Sequence, residues 1–305
     1  MELTADHRAL RDSVRGLVAA RPEPLWPRLC KEIGVAGLAT DATLLECQVV
    51  LAELARQLTP SPMLGSAVLA TQALLRVGAT GLLPSLSAGD RVAALVLHGD
   101  RVLDAASADV LLRADGDDLF EVTGFTVRPC DLLDPTRPLA VVSHSGAPAR
   151  RLGSAPGLSA WLRDLACVAL SAEQVGAASR AFELTHSYVR QRVQFGRPIG
   201  SFQVIQHRLA EAYLRLETAT TASWTAAEAL VADSPDAPAL AAMAKVHCSE
   251  ALQAIVGEMV QMHGGIAITW EHDAHRYLRR AYADAQLFGA PADHLNRLAA
   301  TLLPT

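Results

Sequence analysis

The sequence predicts a mainly α-helical protein with a small central β domain, in the order helical, β, helical, with the last part a four-helix bundle. Three observations predict this. Apolar residues recur at helical spacing up to about residue 87. The period then shortens, and brief apolar runs are cut by Gly-Asp, Asp-Gly-Asp and Asp-Pro. From about residue 157 the chain returns to long helical runs.

Residues 1–87 form the expected N-terminal helical domain. "LTADHRALRDSVRGLVAA" is a helix ending before Arg21-Pro22, and "DATLLECQVVLAELARQL" is one ending at Thr59-Pro60-Ser61-Pro62. The latter places Leu44, Cys47, Val50, Leu51 and Leu54 on one face, with Asp41 as its N-cap. Residues 88–156 form a reduced β domain, in which "RVAALVLHG", "ADVLLRAD", "LFEVTGFTV" and "PLAVVSHSG" read as strands of hairpins. Residues 157–305 carry helices at about 158–192, 202–233, 238–263 and 271–288, with a short tail helix after Pro291. Packed antiparallel, the four long ones make a bundle. Phe202, Ile205, Leu209, Tyr213 and Leu216 form one buried stripe in this reading.

Composition narrows the function. Half of the 305 residues are hydrophobic and 19% are charged, which excludes long disorder. A net charge of −5 offers no field for a nucleic-acid backbone. Cys30, Cys47, Cys130, Cys167 and Cys248 are dispersed without a C-x-x-C, as expected of reduced thiols. The first residues lack an apolar signal core, and no apolar run reaches the ~18–20 residues of a membrane span. The expectation is a cytoplasmic protein with neither nucleic-acid nor membrane partners. No metal is expected either: His272 and His275, with Asp273, have helical spacing but no third ligand of the right type nearby.

One stretch poses a chemical question: "YVRQRVQFGRPIGSFQVIQHRLAEAY", Tyr188 to Tyr213. Arg192 closes a helix, Pro198 and Gly200 turn the chain, and Ser201 is placed to cap the next helix. The first turn of that helix offers free N–H groups and a positive dipole end, suited to a pyrophosphate. Arg192 adds a planar donor fork. A capped hairpin with a surface arginine is the plainer alternative. Further on, "QMHGG" places Gln261 and His263-Gly264-Gly265 at the end of another helix. The glycines serve either as a plain C-cap or as backbone open to a ligand.

Together, "YVRQRVQFGRPIGSFQVIQHRLAEAY", "QMHGGIAI" and "HRYLRRAYADAQLFG" resemble the C-terminal domain of the acyl-CoA dehydrogenase family. "WPRLCKEIGVAGL", "VVLAELARQLTPSPML" and "GLLPSLSAGDRVAALVL" extend the resemblance over nearly the whole chain. The resemblance implies FAD at a subunit interface, its adenosine-pyrophosphate half held by Arg192, Gln194, Phe195, Phe202, Gln203, Gln261, His263, Gly264 and Gly265.

Two family features are missing. The Thr-Glu-Pro and Gly-Ser-Asp elements that hold the isoalloxazine ring do not occur between Ala88 and Pro156. The catalytic Glu is also absent: Phe288 and Ala166 stand at its two usual positions, and neither side chain takes a proton. Asp164, two residues from the second position, is the remaining candidate base, though about 200° round the helix it faces elsewhere. Glu173 and Glu183 read as polar-face or inter-helix residues.

The resemblance therefore implies the smaller subunit of a heteromeric, actinobacterial steroid-side-chain type acyl-CoA dehydrogenase. Such a chain clamps FAD while a second subunit supplies the flavin ring site and the Glu, for α,β-desaturation of an acyl-CoA thioester. A structural family member without flavin remains an alternative, as does a self-sufficient homodimer or homotetramer. Arg276, Arg279 and Arg280 read as a solvated or inter-subunit ionic face, and Trp161, Trp224 and Trp270, on helices, as packing or interface residues.

Overall fold

The computed structural model describes residues 3–21 and 23–302. It opens with α1 (Ala5–Ala19), capped by the Thr4 hydroxyl, and α2 (Leu25–Ile33), which ends on left-handed Gly34. Pro22, expected to stop the first helix, lies outside the described residues. After α3 (Leu38–Asp41) comes α4 (Leu44–Arg56). Asp41 does not cap α4; it ends α3. Thr43 is the cap, in a reciprocal box with Glu46, which satisfies two donors where Asp41 would be too far upstream to satisfy either. Leu44, Cys47, Val50, Leu51 and Leu54 are all buried, as the periodicity requires. The chain then winds through a fully buried π-helical stretch, Met63–Ala70, into α5 (Thr71–Arg76) and α6 (Leu83–Ser87).

Seven strands follow: β1 (Ala93–Val96), β2 (Arg101–Leu103), β3 (Val110–Asp115), β4 (Asp118–Val122), β5 (Thr126–Pro129), β6 (Leu139–Ser143) and β7 (Ala149–Ser154). They form two sheets, ordered β1-β3-β4-β7 and β2-β6-β5. Asp115 pairs with Asp118 across a two-residue Gly116-Asp117 turn, the hairpin that Asp-Gly-Asp predicts. Gly99-Asp100 makes no hairpin. Instead β1, buried at all four residues, pairs in parallel with β3, while β2 crosses to the second sheet. Ala94, Val96, Val102, Leu111, Val122 and Val142 form a core of their own within this region.

The rest is helical: α7 (Leu158–Gln191), α8 (Gln203–Val231), α9 (Ala237–His263), α10 (Ala274–Gln286) and α11 (Pro291–Leu302). A small ribbon, β8 (Val193–Gln194) with β9 (Arg197–Pro198), joins α7 to α8. Helix α4 lies across α7 at Gly176, where an added Cβ would sit 2.0 Å from the Ala52 carbonyl oxygen. The expected α8 stripe holds in part. Leu216 is buried and Phe202, Ile205 and Leu209 half-buried, but Tyr213 is 52% exposed. The buried line runs instead through Ala212, Leu216, Ala219 and Ala226, because the first half of α8 is covered on one side only; Val204 and Leu214 are exposed beside Tyr213. Among the described residues, no helix is long and apolar enough to cross a membrane.

Candidate functional site

The stretch between α7 and α8 is a tight corner. Arg192 caps α7 with extended backbone, and Gln194 pairs with Arg197 around Phe195-Gly196. Both turn residues have positive φ, 53° and 76°, as a two-residue hairpin of this hand needs. Glycine holds such a conformation freely; a phenylalanine there costs on the order of 1 kcal/mol. Phe195 is also 90% exposed, its ring meeting Phe202 edge-on. A strained, solvent-facing aromatic of this kind is characteristic of a contact site.

Gly200 lets the corner lie against α7, since a Cβ there would come within 3.0 Å of the Val189 carbonyl oxygen. Ser201 is not the cap of α8. Its hydroxyl donates to the Pro198 carbonyl at 2.7 Å, and Phe202 occupies the cap position without a side-chain bond to the first turn. The Ile205 N–H is taken by the Phe202 carbonyl, and the Gln203 and Val204 N–H groups of that turn are left for solvent or a ligand.

The second stretch lies beside the first. The Tyr188 ring, one turn before Arg192, stacks on His263 with centroids 4.2 Å apart, and its hydroxyl donates to the His263 carbonyl. Gly264 follows with φ 63° and ψ −141°, a backbone state that essentially glycine alone adopts. A Cβ on Gly264 or Gly265 would meet nothing within 4 Å, so their backbone faces open space. His263 is buried. Its Nδ1–H donates to the Met259 carbonyl at 2.7 Å, while Nε2 is buried with no partner. Burial lowers its pKa, which favours the neutral ring.

Arg192, Gln194, Gln203 and Gln261 are all exposed, and among the described residues none of their side chains makes a hydrogen bond or ion pair. The corner thus presents a free guanidinium, three free amides, open glycine backbone and an uncapped helix start. This donor set suits a pyrophosphate with an attached nucleoside.

The two positions expected to bear a base are carbon. Ala166 is fully buried in the core of α7. Phe288 sits in the turn between α10 and α11 and lines a cavity of about 780 Å³ between the strands and the bundle. Asp164 is buried, and Arg297 of α11 holds its carboxylate at 2.5 Å. Burial raises its pKa even so, against the pull of Arg297.

Beside that cavity is a buried ionic cluster. Arg137, in the loop between β5 and β6, reaches Glu173 of α7 and, at 2.8 Å, Asp284 of α10. Arg280 binds Asp134 of the same loop and the Thr136 hydroxyl at 2.7 Å. The buried Lys245 donates to the carbonyls of Asp284 and Ala285, at 2.7 and 3.0 Å, closing the end of α10. Burial lowers the Lys245 pKa to about 8. Burial alone would raise the pKa of Asp134, but Arg280 and Thr136 bring it below the ordinary value. This corrects the reading of the three arginines as one surface face. Arg276 pairs with Asp273 in solvent and Arg279 lies over the Trp270 ring, whereas Arg280 is buried because the β5–β6 loop brings an acid to it. Trp270 is not on a helix but in the turn before α10, 77% exposed; Trp161 and Trp224 are on α7 and α8. His272 and His275 join no metal-binding cluster among the described residues.

The family model "Acyl-CoA dehydrogenase, C-terminal domain" matches residues 164–303. "Acyl-CoA dehydrogenase IpdE2" of Mycolicibacterium smegmatis is 40% identical over 309 residues, covering 98% of this chain and 94% of the relative. The ChsE4-ChsE5 complex from Mycobacterium tuberculosis has a chain with TM-score 0.89 and 27% identity, covering 100% of this chain and 99% of its own. A chain of the Tcur3481-Tcur3483 steroid ACAD G363A variant gives TM-score 0.86 and 26% identity, with 97% of each covered. The chain belongs to the acyl-CoA dehydrogenase family, an oxidoreductase class.

Proposed function

We propose that this chain is one subunit of a hetero-oligomeric, FAD-dependent acyl-CoA dehydrogenase. In this reading it grips the adenosine-pyrophosphate half of a flavin whose ring and catalytic Glu belong to a partner subunit. The observation that carries the reading is an asymmetry. The corner keeps its full set of free donors, while both base positions are carbon. Arg192 pairs with the pyrophosphate, assisted by the first turn of α8. Gln203, Gln261 and the Gly264-Gly265 backbone hold ribose and adenine, and Phe195 covers them from solvent.

When bound, the flavin accepts the hydride lost from the acyl group. The paired removal of the α-proton falls to the partner, since Phe288 and Ala166 offer no oxygen or nitrogen. Exposed Val193, Phe195, Val204, Leu214, Ile268 and Trp270 supply apolar surface at this end for the partner to cover. Two structural neighbours are named as pairs of chains, which supports a second subunit; one of them is named as a steroid enzyme, which supports a bulky steroid-derived acyl-CoA as the substrate.

Co-expression with candidate partner subunits tests the proposal. The expected product is a yellow complex that oxidises an acyl-CoA, from which Arg192→Ala removes flavin. Losing charge-assisted bonds worth about 1.5–3 kcal/mol weakens flavin binding roughly 10- to 100-fold. A yellow, active homo-oligomer of this chain alone would refute the division of labour.

A further inference from the structure

The buried ionic cluster around Arg137 is unequal in charge. Its cations are Arg137 of the β5–β6 loop, Lys245 of α9 and Arg280 of α10. Its acids are Asp104, just after β2, Asp134 of the loop, Glu173 of α7 and Asp284 of α10, and all of these groups are buried. Three cations thus stand against four carboxyl groups. With all of them ionised the interior would hold an uncompensated negative charge, which burial penalises heavily. One retained proton makes the cluster neutral.

The contacts show which acid keeps it. Asp134 accepts from the Thr136 N–H and hydroxyl, at 2.8 and 2.6 Å, and pairs with Arg280. Glu173 pairs with Arg137. Asp284 has Arg137 at 2.8 Å and Arg280 at 4.0 Å, although its Oδ2 has no partner. The Asp104 carboxyl, by contrast, has neither a hydrogen bond nor an ion pair among the described residues. Its Oδ2 lies over Gly65, where an added Cβ would come within 2.5 Å of it, in a π-helical stretch without charged residues. Of the neighbouring strands, β6 is uncharged, and the one charge of β5, Arg128, is exposed. The charges that act on Asp104 are therefore Arg137, which favours its ionisation, and Glu173, which opposes it. Burial, together with Glu173, outweighs Arg137 and raises the Asp104 pKa to about 7. Asp104 is also joined to the loop, since its N–H donates to the Pro138 carbonyl at 2.8 Å, beside Arg137.

We infer that this cluster is a proton-operated latch, in which one proton on Asp104 keeps the β5–β6 loop fastened to α7 and α10. Below about pH 7 the latch is closed. As pH rises through that value, Asp104 ionises, repels Glu173 and draws on Arg137, which loosens the hold of the loop on both helices. Lys245, its pKa lowered by burial to about 8, is still charged at that point. Leu132 and Leu133 of the loop form part of the wall of the cavity of about 780 Å³, so the latch sets whether that wall is in place. The device lies apart from the corner between α7 and α8 and does not rest on the function proposed there.

Hydrogen exchange of the full chain, followed from pH ~6 to ~7.5 and corrected for intrinsic amide chemistry, tests the latch. The reporters are the Thr136 and Arg137 amides, which donate to the Asp134 carboxylate and carbonyl. Their protection should fall about tenfold across this range relative to amides in the middle of α7, and the infrared band of a protonated carboxyl should disappear in step. Asp104→Asn, which the left-handed backbone at φ 59° tolerates, should lack the band and keep both amides protected throughout. Glu173→Gln removes the surplus acid and should move the loss of the band to lower pH. Protection that ignores pH, a pH-dependent loss that survives Asp104→Asn, or a band removed by Asp284→Asn but kept in Asp104→Asn overturns the inference.

Discussion

Replacing Arg137 with Met probes how the β5–β6 loop is fastened to the bundle. The Arg137 side chain is 5% exposed, Glu173 11% and Asp284 0%, so the substitution leaves two carboxylates in the interior without their shared cation. Removing one partner of a buried ion pair costs about 3–5 kcal/mol, mostly because the remaining charge is uncompensated. Unfolding entropy is about 2.1 cal/mol/K per residue, so 305 residues unfolding together correspond to a fall in Tm of roughly 5–8 °C. Urea melts and calorimetry of Arg137→Met measure this directly. Arg137→Met combined with Glu173→Gln and Asp284→Asn should recover most of the loss, because the penalty lies in stranded charge rather than in lost attraction. A single-mutant cost below about 1 kcal/mol would show that water reaches the cluster and refute the argument.

Gly176→Ala should cost more than about 3 kcal/mol, since its Cβ would fall 2.0 Å from the Ala52 carbonyl oxygen and force α4 off α7; an unchanged melt would contradict that crossing. Asp104, at φ 59°, has its pKa raised to about 7, chiefly by burial and also by the Glu173 charge, with Arg137 opposing. The folded chain thus keeps a proton that the unfolded chain releases near pH ~4, so this stability is present below ~4 and lost as pH rises through about 7. Asp104→Asn tolerates the left-handed backbone, should flatten the pH dependence between ~4 and 7, and should make the protein more stable than wild type at pH ~8 in thermal melts. Lys245 has the opposite sign. Its depressed folded value of about 8 makes its contribution rise between pH 8 and ~10.4, and Lys245→Met should remove that rise from stability-versus-pH curves.

Local signals in the sequence carried the features that are built locally. The long helices and the Gly116-Asp117 hairpin follow from periodicity and turn chemistry within a few residues. The α4 cap was legible too, as Thr43 with Glu46 three residues on, and Asp41 was the wrong choice among nearby candidates. Gly99-Asp100 misled because a turn signal specifies a bend and not the sheet that receives the next strand. The corner between α7 and α8 could be read because each half of it is contiguous in the chain. The ionic cluster could not be, because Arg280 and Asp134 are 146 residues apart and only the β5–β6 loop joins them. Lys245 left one trace, a single cation amid the alanines of "ALAAMAKVHCSEAL", the pattern of a charge placed inside a helix bundle. The cavity drew on strands, loop and helices together, beyond the reach of any local pattern.

Native mass spectrometry of the assembled complex, with flavins counted for wild type and for Arg192→Ala, tests the central claim most directly. The account predicts one FAD for each pair formed by this chain and its partner, lost in Arg192→Ala while the protein assembly stays intact. Flavin retained in full by the Arg192→Ala complex, or one FAD on every chain, would contradict it.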